Sequence, residues 1–286
     1  MPIAEPGPPR RRLPTRLIGA GVGLVAAGVA AFLLLGNSGA DPIAQAATVS
    51  ENSPGYHMTL SLLIGSSQQS APITATGSAV VDPPAHAASM SLTIDMSQIP
   101  LFSEATGAST MQMAMVLIGR DYYLKLPQAI VKQTPSLGGK PWVEVDVSKA
   151  DTLSSLGDSL TSDPSQTLQV LHAGADSITD EGQQDVDGVQ TTHYHAAMNL
   201  SRLVPGLPSS LANQLTGDQD VPVDVWIDAH NLVRRVVMSL TVGQSNGPSL
   251  QETATADFSD YGPQPRPSPP PASQVTDGNS LAGLSG

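Results

Sequence analysis

Four residues near the middle of the chain, Gly157-Asp158-Ser159-Leu160, spell the nucleophile motif of the GDSL class of serine hydrolases. A serine nucleophile needs a histidine and an acid as partners, and in that class a later Asp-x-x-His supplies both. No Asp-x-x-His follows the motif here, and the motif lies within a leucine pattern typical of a helix. We therefore expect no enzymatic activity from Ser159, and no cofactor.

Two histidines, His193 and His195, lie two positions apart and would share one face of a strand, a spacing that could present two imidazoles to a metal ion. Thr192, Tyr194 and Ala196 would occupy the opposite face, which is the more apolar one. No third histidine or evident carboxylate completes a site, so we expect a solvent-facing pair and no metal. The chain has no cysteine, which excludes disulfides and thiolate metal sites.

The charge of the chain argues against one class of partner. Its formal net charge is −12 at neutral pH. Binding to nucleic acid requires clustered lysine and arginine side chains that neutralise phosphates. We therefore expect no nucleic-acid partner.

The N-terminal residues predict a connection to a membrane. Residues 1–16 are rich in proline and arginine, and residues 17–35 carry no charge. A helix over residues 17–35 would nearly span the hydrocarbon core, and the arginines before it place the N-terminus in the cytoplasm. The alternative is a cleaved signal, since Ala44-Gln45-Ala46 has the spacing of a cleavage site. The expected location is the cell membrane with the main domain outside, or secretion after cleavage.

From residue 41 to residue 261 the dominant pattern is an alternation of apolar and polar residues, which indicates half-buried strands. The predicted strands, joined by turn residues, include Tyr56–Ile64, Ile73–Val81, Met90–Met96, Met111–Leu117, Tyr122–Leu126, Trp142–Val147, Ser177–Glu181, Gln190–Met198, Val221–Ile227, Leu232–Val242 and Thr253–Phe258. Apolar spacing of three and four predicts helices over Thr152–Leu160 and Asp163–Gly174, and shorter ones over Asn199–Val204 and Ser209–Leu215. The expected fold is α+β, with one large curved antiparallel sheet and helices packed over one face. Residues 262–286, rich in proline, serine and glycine, are predicted to be a disordered tail.

Apart from Met1, the methionines fall in the predicted strands, mostly on apolar faces, whereas aromatic residues make up only 3% of the chain. Methionine gives a soft lining that adapts to variable apolar shapes. The alternative is a filled core that is rich in methionine.

A succession of strand and turn motifs resembles the LppX/LprAFG family of actinobacterial cell-envelope lipoproteins. The motifs are Ile118–Tyr123 running into Trp142–Val145, then Asp187–Tyr194, Val223–Asp228 and Leu232–Arg235. The resemblance implies a LolA-like half-barrel sheet closed by helices, with an apolar cavity for acyl chains of lipids or glycolipids. The family's lipidated cysteine is replaced: Asn37 follows Leu34-Leu35-Gly36, so the helix itself must be the tether, if there is one.

On this reading the chain is a membrane-tethered lipid-binding protein for lipid transport or presentation, with envelope proteins as further candidate partners. The expected cavity lining is Met90, Leu92, Ile94, Met96, Met111, Met113, Met115, Leu117, Tyr194 and Met198. The alternative is a structural or interaction protein of the envelope with a filled core and no ligand.

Overall fold

The computed structural model of the 286-residue chain describes residues 42–66, 71–119, 121–146, 175–199, 220–244 and 247–278. The predicted membrane segment, the Gly157–Leu160 motif and the predicted helices between residues 152 and 174 lie outside these ranges. So do the two short helices predicted around residues 199–215, apart from Asn199. Within the described ranges, no helix combines the length and the hydropathy that crossing a bilayer would require.

Three short α-helices and twelve strands make up the described part. The helices are α1 (Pro42–Glu51), α2 (Pro100–Thr106) and α3 (Gln128–Gln133). The strands are β1 (Tyr56–Ser66), β2 (Ile73–Asp82), β3 (Ala87–Asp95), β4 (Thr110–Ile118), β5 (Asp121–Lys125), β6 (Trp142–Asp146), β7 (Ala175–Val186), β8 (Val189–Asn199), β9 (Asp220–Asp228), β10 (Val233–Gln244), β11 (Gly247–Ser259) and β12 (Val275–Asp277).

All twelve strands belong to one sheet, in the order β12-β6-β5-β4-β3-β2-β1-β11-β10-β9-β8-β7. Each pair is antiparallel except β12 with β6, which is parallel. Chain neighbours therefore pair with each other from β1 to β6 and from β7 to β11, and β1 joins these two halves of the sheet by pairing with β11. The predicted large open antiparallel sheet is confirmed.

Turn residues fix the register of the hairpins. Asp187 and Gly188, which both have positive φ, join β7 to β8 and leave Val186 opposite Val189. Two positive φ values in a two-residue turn match the twist of a hairpin, and Asp-Gly is a sequence that tolerates them. On its other side β8 pairs with β9, which places Tyr194 opposite Val225 and Ala196 opposite Val223.

The core lies on one face of the sheet, which we call the inner face. Ile43 and Ala46 of α1 pack there on β9 and β10, and Phe102 of α2 packs on β1, β3 and β4. Val131 of α3 packs against Val143 of β6. A buried hydrogen bond from the Val233 amide to the Ser50 hydroxyl (3.0 Å) also fixes α1. Helices packed over one face were predicted, and the described helices do cover the inner face, but none of α1, α2 and α3 was among the helices predicted from the sequence.

The C-terminal part of the chain differs from the prediction of a disordered tail. Residues 262–278 are described and include β12, whose Val275 pairs with Trp142. The Lys140 ammonium donates to the Val275 carbonyl (2.9 Å), and the Thr276 hydroxyl donates to the Leu137 carbonyl. This pairing could not be predicted, because the segment is rich in proline and a strand of three residues is too short to show an alternation of apolar and polar residues. Residues 279–286 lie outside the described residues.

Candidate functional site

The inner face of β3, β4 and β5 carries most of the residues expected to line a cavity. Met90 lies opposite Met115, Leu92 opposite Met113 and Ile94 opposite Met111, and Met115 continues to Leu124 of β5. Alternation predicts the shared face of these residues, and the register of the strands places their apolar side chains side by side. Together they form an apolar surface across three strands.

One part of this surface is tightly packed. Leu92, Ile94 and Met111 are 5–6% exposed and form a closed cluster with Phe102 of α2. Met96 and Met113 pack against that cluster but are only partly buried. Near α2, therefore, the inner face is a filled core rather than a cavity wall.

A second part is half-buried, and we call it the methionine patch. It consists of Met90, Met113, Met115, Leu117, Tyr122 and Leu124. Met115, Leu117, Tyr122 and Leu124 belong to none of the closed clusters of the described residues. Apolar area that neighbouring elements leave partly open can be covered by an apolar ligand.

The remaining two predicted lining residues lie on β8, far along the sheet. Tyr194 is half-buried and packs against the core beneath α1. Met198 pairs with Val221, but its side chain lies outside the described residues. Strands β1, β2, β9, β10 and β11 lie between Tyr194 and the methionine patch in the strand order, but Tyr194 and Met90 of the patch pack against the same core cluster.

A carboxyl group interrupts the apolar inner face on β11. Glu252 is 6% exposed and lies between Ile64 of β1 and Leu240 of β10. Its Oε2 atom has no hydrogen-bond partner among the described residues. Because burial penalises the charged form, the pKa of Glu252 is raised from 4.5 to about 7.

Glu252 also lines a cavity of about 490 Å³ between β9, β10 and β11. Its lining comes from both faces of the sheet: Val221, Leu240 and Glu252 point to the inner face, whereas Ser239, Thr241 and Thr253 point to the outer face. This volume falls in the range of small-molecule sites, which is roughly 300–1,000 Å³.

The other buried carboxylate of the described residues, Asp228, has the opposite environment. It is 5% exposed, yet its Oδ1 accepts from the amides of His230 (2.8 Å) and Leu232 (3.0 Å). The Arg234 guanidinium donates to Oδ2 at 2.8 Å. Burial alone would raise the pKa of Asp228, but these hydrogen bonds hold it below its usual value. Asp228 therefore stabilises the turn between β9 and β10, whereas Oε2 of Glu252 has no hydrogen-bond partner among the residues that the structure describes.

The predicted histidine pair lies on the outer face, as expected, but it has a carboxylate partner. His193 Nε2 and His195 Nδ1 each lie 2.9 Å from the same oxygen of Asp224 on β9. Trp226 stacks on His193 with ring centroids 4.3 Å apart, and Gln184 bridges the two rings by hydrogen bonds. No three His, Asp or Glu side chains in the described ranges could hold a metal ion. This network links β7, β8 and β9 on the surface.

The sequence analysis did not identify Glu252 or the contact of Asp224 with the histidines. The last strand was predicted to begin at Thr253, so Glu252 was left outside it, whereas β11 begins at Gly247. Alternation back from Phe258 through Ala256 and Ala254 would have placed Glu252 on the inner face. Asp224 was not recognised as the carboxylate partner of the histidines, because only the pairing of β8 with β9 brings it opposite His195.

Comparison with known proteins gives similarities in sequence and in fold. No family model matches the chain. An uncharacterized 31.2 kDa protein from the rplA-rplJ intergenic region of Streptomyces griseus is 27% identical over 172 residues, which cover 55% of this chain. The match spans about half (53%) of the length of that relative.

Among solved structures, the chain is similar to two mycobacterial proteins, LprF from Mycobacterium bovis and the lipoprotein LppX from Mycobacterium tuberculosis. The LprF match covers 78% of this chain and 92% of LprF, with 12% identity and a TM-score of 0.41. The LppX match covers 79% and 95%, with 12% identity and a TM-score of 0.44. Both names belong to the family that the sequence motifs resemble. Because both TM-scores are below 0.5, the description of the fold is based on the strand order and register of this chain and not on these two structures.

Proposed function

We propose that this protein binds acyl chains of lipids on the inner face of its sheet, without covalent chemistry, while its N-terminal segment tethers it to the membrane. The methionine patch carries the proposal. Its side chains are apolar, adaptable and half-buried, whereas the neighbouring part of the same face is closed by Phe102. Each methylene of a chain buried there would contribute about 0.8 kcal/mol in area terms.

The tethering part of the proposal is supported by how α1 packs. Cleavage after Ala46 would remove Ile43 and Ala46, which are 4% and 0% exposed in the core. A chain cut there would lose half of α1 from β9 and β10. An uncleaved segment over residues 17–35 would leave α1 whole, with the domain outside the membrane in a position to carry or present lipid.

Two tryptophan substitutions on β4 test the lipid site. Met115→Trp should reduce retention of a fluorescent acyl probe several-fold and should lower stability by less than about 1 kcal/mol, because its ring can extend over the open patch. Met111→Trp is the matched control on the same strand and face. It should lower stability by about 1–3 kcal/mol, because Met111 is enclosed by the Phe102 cluster.

We would measure the thermal unfolding of both variants, and the retention of the probe by the full-length protein in vesicles. If Met115→Trp destabilises the protein as much as Met111→Trp does, and the unmodified protein retains no probe, the inner face is a filled core. The alternative of a structural or interaction protein would then be preferred.

A further inference from the structure

We infer that the connection from the end of β5 to the start of β6, residues 125–142, docks on the anionic surface of a bilayer. We call this segment the basic rim. The inference goes beyond the proposed lipid binding and rests on one part of it, the N-terminal tether. It starts from charge: residues 125–142 contain three lysines and no aspartate or glutamate, in a chain whose formal net charge is −12.

The positive charges of the basic rim are available to a partner. Lys125 and Lys132 are exposed, whereas Lys140 is half-buried and donates to the Val275 carbonyl. Among the residues that the structure describes, no carboxylate forms an ion pair with Lys125 or Lys132. The Lys125 ammonium lies 5.9 Å from the ring centroid of Trp142, which is half-buried. Tryptophan and lysine side chains with apolar bodies and polar tips are typical of the interface between a membrane and water.

The basic rim lies at the end of the sheet towards which the N-terminal segment leads. The turn from β9 to β10 is at the opposite end of the sheet, as the strand pairings show. There the Val233 amide donates to the Ser50 hydroxyl, which fixes the C-terminal part of α1. Because Ile43 is also buried against the core of β9 and β10, α1 runs back along these strands. Its first residue, Pro42, therefore points towards the end that carries the basic rim.

The chain between the proposed anchor and α1 is short. From Leu35 to Pro42 it advances seven residues, which can span at most about 25 Å. This limit holds the domain close to the bilayer. A chain that leaves α1 along the helix axis brings the end with the basic rim onto the membrane surface.

Charge and position then agree on the partner. The negative charge of most of the chain is repelled by an anionic surface, whereas a lysine-rich segment is attracted to it. Leu124, which precedes Lys125, belongs to the methionine patch. A lipid that leaves the bilayer at the basic rim would therefore meet the patch directly.

The two tryptophans of the chain make docking measurable without a label. Trp142 lies in the basic rim, and Trp226 lies on β9 in the other half of the sheet. Full-length protein is reconstituted in vesicles of phosphatidylcholine and phosphatidylglycerol that contain lipids with a spin label on the headgroup, which quenches nearby tryptophan fluorescence. We expect the quenching to persist in Trp226→Phe and to be lost in Trp142→Phe. It should weaken in pure phosphatidylcholine and at high salt, because both remove the attraction between charges.

Replacing both Lys125 and Lys132 by glutamine should shift the docking equilibrium by roughly thirtyfold, about fivefold for each lysine near an anionic surface. The ratio of quenched to unquenched Trp142 fluorescence measures this shift. Arg266→Gln, at an exposed arginine outside the basic rim, is the matched control for Lys132→Gln and should leave the ratio unchanged. Both lysines are exposed, so their variants should unfold at the temperature of the unmodified protein.

The outcomes separate this inference from the proposed function. If the protein floats with the vesicles but Trp142 is not quenched, or if the lysine variants are quenched as strongly as the unmodified protein, the basic rim is wrong while the tether stands. Equal quenching in pure phosphatidylcholine would also overturn it, since charge would then not select the surface. If the protein does not float with the vesicles, the tether and the basic rim are both wrong.

Discussion

At the scale of single residues, Glu252 should make stability depend on pH. Its pKa is about 7 when folded and near 4.5 when unfolded. Below about pH 4.5 both states hold the proton, so the group has no effect. Between 4.5 and 7 the unfolded state releases the proton first, so stability falls as pH rises. The total loss is on the order of 3 kcal/mol, and it is complete above about pH 7.

Glu252→Gln removes this titration. The difference in unfolding free energy between the variant and the unmodified protein should grow from pH 4.5 to pH 7 and then stay constant, measured by urea denaturation at each pH. Glu181→Gln, at an exposed position, should give no such trend. A pH profile that is the same with and without Glu252 would show that this carboxyl group finds a partner in the folded protein.

The face of the sheet on which a single residue lies could be predicted from the sequence. The faces of His193, Tyr194, Asp224 and Trp226 follow from alternation alone, because a side chain in a strand has only two directions to point. Their partners do not, since Asp224 meets both histidines only through the pairing of β8 with β9. Which residues pair across strands depends on the order and register of the whole sheet, so the sequence of a single strand does not predict them.

At the scale of elements, most of the strands could be predicted, but the strand β12 could not. Strands such as β1 and β9 alternate over nine to eleven residues, which gives a strong signal. β12 has only three residues and is held by its edge pairing with β6 and by Lys140 and Thr276. The packed and the half-buried parts of the methionine surface could not be distinguished in sequence, because the difference depends on where Phe102 of α2 packs.

Truncation tests the part played by β12. Deleting residues 262–286 should lower the free energy of unfolding by about 1–3 kcal/mol, since it removes the β12 pairing and the bond from the Gly262 amide to the Gly55 carbonyl. The melting temperature should fall by several degrees. Deleting only residues 279–286 is the matched control and should leave it unchanged; equal melting temperatures for both truncations would mean that β12 contributes nothing.

At the scale of the whole molecule, the proposed tether would determine where the sheet can act. If residues 17–35 are an uncleaved anchor, the full-length protein should stay in the membrane fraction at high salt, and its N-terminus should be Met1 or Pro2. Ala27→Arg would place a charge at the centre of the segment, which disfavours insertion by about 2.5–3.5 kcal/mol. That variant should insert less, whereas Arg10→Ala should leave the membrane fraction unchanged. An N-terminus mapped to Ala47 would show that the segment is a cleaved signal.

The parallel pairing of β12 with β6 also determines the order in which the sheet can be completed. Val275 follows Lys140, which holds it, by 135 residues. Until residue 275 has been synthesised, the edge of β6 that β12 covers has no other described strand beside it. An unpaired edge is a template for association with other chains. Closing so long a loop is slow compared with forming the hairpins. The pairing of β12 with β6 therefore forms late in synthesis and covers an edge that is open until then. Chains stalled before residue 275 should be the ones that aggregate.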